Sequence, residues 1–129
     1  MTTILRNIDV DATPEAVWAK VSDTSRISDL IGFVASSEQT GDTRVCNLEG
    51  GGSLTEKIVS VDPDLKRVLY SITDSPLGMD FHVASMQVEG NGSGTRLVWT
   101  VDVLPSEAAG HLAPLLDSAC DDMSSSLAG

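Results

Sequence analysis

One feature constrains the fold more than any other: a single long helical segment follows a run of consecutive strands. The final segment, Ser106–Leu127, carries apolar residues at helical spacing. Before it, Phe33–Leu104 reads as six strand segments separated by turn residues, which predicts an antiparallel sheet. A helix of about 20 residues, about 30 Å long, can cross such a sheet but cannot cover both faces. The sheet is therefore expected to curl around the helix and to leave space between them.

The segments before the long helix predict an α+β fold. Ile4–Val10 alternates apolar and polar residues and predicts a first strand. Thr13-Pro14-Glu15 is typical of a helix start, and a second short helix is predicted over Thr24–Ile31. Ser106 is the expected N-cap of the last helix, and Pro114 is expected to kink that helix or delay its start. The six later strands are predicted at Phe33–Gln39, Thr43–Leu48, Leu54–Val61, Arg67–Thr73, Phe81–Glu89 and Thr95–Leu104.

Length and charge limit the classes of partner. The chain has 129 residues, which fits one domain over residues 1–129. Eight basic residues against nineteen acidic ones give a net charge of -11, which would repel nucleic-acid backbones and anionic membranes. We therefore expect no nucleic-acid partner and no membrane insertion. The sequence does not indicate an oligomeric state.

Neither a leader segment nor a metal motif is recognisable. Met1–Val10 has no apolar run, which predicts neither a signal peptide nor a membrane anchor and favours a cytoplasmic location. Cys46 and Cys120 are therefore expected to be free thiols. The two histidines have no partners at ligand spacing, and the glycine triplet 50–52 lacks a following Lys-Ser/Thr. No metal and no cofactor is predicted.

Three motifs carry a resemblance to a known family. Ile8–Trp18 resembles the opening motif of the polyketide cyclase/dehydrase branch of the START-like, birch-pollen-allergen-like superfamily (SRPBCC). Leu54–Ile58, followed by Asp62-Pro63, resembles the fourth strand of that family, and Gly94–Thr100 resembles its last strand. The resemblance covers nearly the whole chain and implies a helix-grip fold with an internal ligand cavity. It does not imply one reaction, because members include carriers, receptors and cyclases.

Pleating predicts which side chains enter the cavity, because alternate residues of a strand face the same side. Most of the predicted inward side chains are aliphatic. The expected ligand-binding residues are Leu54, Glu56, Tyr70, His82, Ala84, Met86 and Trp99 from the strands, and Leu112, Leu116, Ala119 and Met123 from the last helix.

Glu56, Tyr70 and His82 are the polar members of this inward set. A buried carboxylate needs a partner, and we expect His82 to supply it, with raised pKa values for both groups. The strands also look similar to those of plant abscisic-acid receptors, in which a glutamate aligning with Glu56 and a tyrosine aligning with His82 line the pocket. The receptors' anchoring lysine would fall near Ile31. By the same likeness, the glycine triplet 50–52 and residues 75–78 are expected to flank the cavity mouth.

Three functions remain open from the sequence. The first is a carrier or sensor that binds a small, largely apolar lipid, polyketide or isoprenoid-like molecule. The second is a cyclase or dehydratase that uses Glu56 and His82 as catalytic acid and base. The third is a protein-interaction module.

Overall fold

The computed structural model describes all 129 residues and shows one antiparallel sheet with three helical segments. The seven strands lie in the order β1-β7-β6-β5-β4-β3-β2. The predicted α+β architecture, a curved sheet wrapped around a C-terminal helix, is confirmed. The elements are β1 (Thr2–Val10), α1 (Pro14–Val21), a 3-10 helix (Thr24–Asp29), β2 (Val34–Thr40), β3 (Thr43–Leu48), β4 (Ser53–Asp62), β5 (Arg67–Asp74), β6 (Phe81–Asn91), β7 (Gly94–Leu104) and α2 (Ala108–Ser126).

Irregular pairing bends the sheet. The β2–β3 register shifts between Val34 and Ser36, and the β4–β5 register shifts twice, around Glu56 and after Ile58. Such bulges increase local twist and bend the strand that carries them. Two of the three irregularities lie on either side of Glu56–Ile58. The sheet therefore bends at the part of β4 that carries the inward side chains of Glu56 and Ile58.

The short helices begin largely as their residues predict. The Thr13 side chain accepts a hydrogen bond from the Ala16 amide, and Pro14 occupies the first helical position of α1. The second short helix is a 3-10 helix that ends at Asp29, two residues before the predicted end. Ile31 therefore lies beyond this helix, where it is buried in the core.

The long helix α2 lies over the concave face of the sheet, with one apolar side inward. The predicted start was wrong: α2 begins at Ala108, and Glu107 rather than Ser106 is the N-cap. The reason is a tight turn, in which the Ala109 amide donates to the Ser106 carbonyl. Pro114 lies inside the helix and does not delay its start. The inward residues of α2 are Leu112, Leu116, Ala119 and Met123, all of them buried.

The two halves of α2 are attached differently. In the C-terminal half, Asp122 accepts from the Gly32 amide, Ser126 donates to the Leu30 carbonyl, and Lys20 donates to the Ser126 carbonyl. The carboxylate of Asp117, at mid-helix, pairs with Arg6 of β1 at 2.6 Å. Between positions 108 and 116, α2 forms no hydrogen bond to a strand, so packing alone holds this half against the sheet.

Replacing the most enclosed α2 side chain tests this packing. Met123 is fully buried, so Met123→Ala leaves a cavity and is expected to lower the free energy of unfolding by about 2–5 kcal/mol. Ser118→Ala, on the exposed side of the same helix, is the control and should change stability by less than about 0.5 kcal/mol. Urea unfolding measures both. Equal effects of the two changes would contradict the assigned inward face.

Candidate functional site

A small cavity lies between the concave face of the sheet and the first half of α2. Its volume is about 60 Å³, and 14 of its 17 lining residues are hydrophobic. The apolar wall comes from four parts of the chain: the segment after α1, the inner strand faces, the loop between β5 and β6, and α2. Its lining residues are Ile27, Ile31, Phe33, Val34, Arg44, Cys46, Leu54, Glu56, Tyr70, Ile72, Leu77, His82, Met86, Trp99, Leu112, Leu115 and Leu116.

A buried ion pair forms one wall of the cavity. Arg44 on β3 pairs directly with Glu56 on β4, and Arg44 Nε donates to Glu56 Oε1 at 2.7 Å. The two side chains are 4% and 6% exposed, which makes this the one enclosed ion pair of the protein. Arg44 Nη1 also donates to the Thr24 carbonyl, and the guanidinium lies 5.4 Å from the centre of the Tyr70 ring. The charge of Arg44 is therefore compensated in three directions.

Two further groups beside the ion pair are held in their protonated forms. The Cys46 thiol donates to Glu56 Oε1 at 3.2 Å, and burial together with this carboxylate raises the pKa of Cys46 to about 12. Burial, followed by the charge of Glu56, raises the pKa of the Tyr70 phenol. Tyr70 accepts a hydrogen bond from Trp99 Nε1 at 3.1 Å. A thiolate or phenolate nucleophile is therefore not available here near neutral pH.

His82 is a neutral imidazole with a defined tautomer. Its Nδ1 accepts from the Ile72 amide at 2.9 Å, so the proton lies on Nε2. Burial lowers the pKa of His82 to about 4. The paired ladder between β5 and β6 ends at Tyr70–Ala84, and beyond this point the His82 side chain replaces the missing backbone acceptor for Ile72. His82 thus ties two diverging strands together at the edge of the cavity.

The predicted pairing of Glu56 with His82 was wrong. The two residues lie on β4 and β6, with β5 between them, and no contact within 4.0 Å joins the carboxylate and the imidazole. Arg44 occupies the position that His82 was expected to take. The predicted rise in the pKa of His82 was wrong for the same reason, because burial acts on this imidazole without a carboxylate partner.

Eight of the eleven predicted ligand-binding residues line the cavity together. They are Leu54, Glu56, Tyr70, His82, Met86, Trp99, Leu112 and Leu116. Ala84, Ala119 and Met123 are buried in the surrounding core and do not reach the cavity. Their positions on the inward face are as expected, but closely packed neighbours fill the space around them. Of the two loops expected to flank the cavity mouth, residues 75–78 contribute Leu77 to the lining. The glycine triplet 50–52 contributes no lining residue.

Nine residues of the lining were not among the predicted ligand-binding residues, and the two that hydrogen-bond to Glu56 lie on β3. Arg44 and Cys46 share the inward side of that strand, and the register places Arg44 opposite Glu56 and Cys46 opposite Leu54. An available signal was the opposite charge of Arg44 and Glu56 on the two strands that flank the glycine triplet, six residues before Gly50 and four residues after Gly52. Leu115 was missed because it lies at the margin of the apolar stripe of α2 and is half-buried.

The site does not resemble a metal centre. No group of three or more His, Cys, Asp or Glu side chains is arranged to hold a metal ion. The one carboxylate in the cavity wall is already paired with Arg44. What the arrangement offers chemically is an apolar surface with a short row of hydrogen-bonding groups on one side.

A family comparison assigns the chain. The model of the family described as "Polyketide cyclase / dehydrase and lipid transport" matches residues 1–128. The chain belongs to this family. The family and the fold together identify a START-like scaffold of the ligand-binding type. None of the curated proteins matches the chain in sequence.

Several solved structures share the fold. XoxI from Bacillus cereus is 19% identical with a TM-score of 0.90, over 98% of this chain and 96% of that one. A START superfamily protein from Mycobacterium smegmatis is 14% identical with a TM-score of 0.71, covering 91% and 92%. A point mutant of norcoclaurine synthase from Thalictrum flavum, in complex with a transition-state analogue, is 18% identical with a TM-score of 0.69, covering 98% and 93%. At these identities the likeness concerns the fold.

None of the helices combines the length and the apolar character that crossing a membrane requires.

Breaking the ion pair from one side tests its enclosure. Arg44→Met leaves a buried carboxylate without its partner and is expected to cost about 3–5 kcal/mol of unfolding free energy. The double change Arg44→Met/Glu56→Leu should recover most of this loss, because no unpaired charge remains. Lys57→Met is the control, since Lys57 and its partner Asp42 are exposed and 3.9 Å apart. If the double variant lost as much unfolding free energy as the two single variants added together, Arg44 and Glu56 would not be energetically coupled and the prediction would be refuted.

The depressed pKa of His82 predicts a pH dependence of stability. Above pH 6.5 the imidazole is neutral in both states; as the pH falls to about 4, the unfolded chain takes up the proton first. The native state should therefore lose about 3 kcal/mol across this window. Urea unfolding of wild type and His82→Gln from pH 4 to 7 measures the difference, and the variant should lack this component. Parallel pH profiles would show that His82 titrates normally in the folded protein.

Proposed function

We propose that this protein holds a small, largely apolar molecule between the sheet and α2, as a carrier or sensor. The observation that supports this most is the composition of the cavity wall, in which 14 of the 17 residues are hydrophobic and the other three are Arg44, Glu56 and His82. Ligand sites in proteins commonly combine an apolar lining with a few placed polar groups that orient the ligand. The free state of both cysteine thiols fits a reducing compartment such as the cytoplasm.

The size of the cavity sets a condition on this function. Ligand pockets usually enclose about 300–1,000 Å³, whereas this cavity holds about 60 Å³. A lipid or polyketide would therefore have to push the wall outward when it binds. The binding affinity would then be reduced by the work of opening the wall.

The contacts of α2 indicate which part of the wall can yield. Its C-terminal half is tied to Gly32, Leu30 and Lys20 by hydrogen bonds. Its first half, which carries Leu112 and Leu116 into the cavity, is held by apolar packing alone. Opposite it, the β5–β6 ladder has already ended and Leu77 closes the gap. We expect the ligand to enter between the first half of α2 and Leu77.

The acid–base alternative has less support. Glu56 is neutralised by Arg44, and the low pKa of His82 leaves a neutral imidazole whose Nδ1 is already occupied. His82 Nδ1 therefore has no free lone pair with which to act as a general base. The same fold does host norcoclaurine synthase, so the fold itself excludes neither carrier nor enzyme. Whether this chain acts as a carrier or as an enzyme depends on the side chains of Glu56 and His82.

Uptake of an environment-sensitive apolar dye tests the proposal. We expect the wild-type protein to bind the dye at micromolar concentration, with a rise in fluorescence when water is excluded from the dye. Leu77→Trp should weaken uptake at least about tenfold, because a larger side chain at the margin fills the cavity and narrows its opening.

Leu65→Trp is the matched control, since Leu65 is 57% exposed and lies outside the cavity. It should bind the dye as the wild type does. Circular dichroism of both variants would show whether the fold is intact. No uptake by the wild type at high micromolar concentration would contradict the proposal and favour the protein-interaction module instead.

A further inference from the structure

The cavity wall carries full charges but no net charge. Arg44 and Glu56 are the two charged residues in the lining, and they neutralise each other at 2.7 Å. Tyr70 is an uncharged phenol, and His82 is an uncharged imidazole because its Nδ1 accepts from the Ile72 amide. A carboxylate placed here would be a buried charge without a counter-charge, which is strongly unfavourable. An arginine in an apolar cavity would otherwise favour a ligand with a carboxylate. Here the carboxylate of Glu56 already pairs with Arg44 and leaves no positive charge for the ligand.

The unused hydrogen-bonding positions define the group that fits. Glu56 Oε1 accepts from both Arg44 and Cys46, whereas Oε2 has no donor within the protein. On the other side, His82 Nε2–H has no acceptor, and the Tyr70 oxygen accepts from Trp99 and keeps its own proton to donate. The row therefore presents one acceptor and two donors.

Strand pairing brings these positions to one stretch of wall. Glu56 pairs with Ile72 across β4 and β5, and the Ile72 amide binds the His82 ring on β6. Tyr70 lies two residues from Ile72 on the same side of β5, and its ring centre is 5.8 Å from that of His82. A group bound over Ile72 thus lies between an acceptor and two donors. A hydroxyl is the smallest uncharged group that can both donate and accept.

Building on the proposed function, we propose that the cavity selects an uncharged apolar molecule that carries a hydroxyl group, such as a phenol or an alcohol, and rejects the corresponding carboxylate. The hydroxyl donates to Glu56 Oε2, and its two lone pairs accept from the Tyr70 phenol and from His82 Nε2–H. The apolar part lies against Met86, Leu116 and their neighbours. In this assignment Arg44 is not an anion anchor; it pairs with Glu56 Oε1 and orients the carboxylate as an acceptor.

Three probes of matched shape test the selection: 4-propylphenol, 4-propylbenzoate and propylbenzene. Each is titrated at pH 7 against the protein loaded with the apolar dye, and its Kd is obtained from dye displacement. We expect 4-propylphenol to bind about tenfold more tightly than propylbenzene, because propylbenzene leaves the polar row unpaired. It should bind at least about 100-fold more tightly than 4-propylbenzoate.

The outcomes separate this inference from the proposed function. If the dye binds but 4-propylbenzoate equals or exceeds 4-propylphenol, the inference is overturned and the carrier proposal stands. The same holds if propylbenzene binds as well as 4-propylphenol, or if none of the three displaces the dye. If the dye itself does not bind, the proposed function fails and this inference fails with it.

Changing the charge of the wall gives a sharper test. Glu56→Gln keeps the size of the side chain but leaves Arg44 uncompensated, so the preference should reverse toward 4-propylbenzoate. Glu38→Gln is the matched control, because it makes the same change of charge on an exposed side chain of β2 that lies outside the cavity. Its ratio of phenol to benzoate affinity should stay that of the wild type. An unchanged preference in folded Glu56→Gln would contradict the role given to charge balance.

A third variant keeps the test decisive should Glu56→Gln not fold. Tyr70→Phe retains the ring next to Arg44 and removes one donor. It should weaken 4-propylphenol about fivefold and leave propylbenzene unchanged. If Tyr70→Phe changed the affinity for both probes equally, the Tyr70 hydroxyl would affect binding by its shape alone. The hydrogen bond assigned between Tyr70 and the ligand hydroxyl would then be refuted.

Discussion

One helix of 19 residues has to cover the concave face of a seven-stranded sheet, and most other features of this protein depend on that constraint. The helix is about 28 Å long, so it can cross the sheet once. The sheet curls toward it, and the register shifts around Glu56 and Ile58 supply part of the bend. Where the curved sheet and the helix separate, side chains from both sides leave a gap. The cavity is the result of this mismatch in shape.

The polar groups occupy one line across the gap because the strands are in register. Arg44, Glu56 and Ile72 follow one another on neighbouring strands, and His82 continues the line through the Ile72 amide. A buried ion pair contributes little net stability, since the cost of removing both charges from water offsets their attraction. Removing one partner is costly, however. The pair therefore keeps a charged carboxylate at an apolar wall while the wall stays neutral, a combination that suits binding more than proton transfer.

The two ends of α2 are attached to the rest of the protein in different ways. Toward its C-terminus, α2 is joined to the segment after α1 by hydrogen bonds from Gly32 and Ser126. Toward its N-terminus, it covers the cavity through Leu112, Leu115 and Leu116, with no such bonds. One end therefore anchors the helix, and the other forms a wall that apolar contact alone keeps in place. In a START-like scaffold of this size, that asymmetry indicates where room for a ligand could be made.

Several features of the site could be predicted from strand periodicity. Alternation placed Glu56, Tyr70 and His82 on the inward face, and the structure has them there. It also placed Ala84 inward, but periodicity cannot tell a residue that borders a gap from one that fills the core, because both are buried. The partner of Glu56 was missed for a related reason: His82 shares its face, yet a whole strand separates them, and Arg44 is nearer because of a cross-strand register.

The sequence by itself determined the order of strands and helices, the inward side of strands β4 to β7, the acidic character of the protein and the family resemblance. These depend on residue type and on neighbours within a few positions along the chain. Only the tertiary structure decided which polar groups pair, how small the cavity is, where α2 begins and that His82 stays neutral. Each of these depends on register, curvature and burial, which arise when residues far apart in the chain meet. A pattern of local spacing contains no measure of those distances.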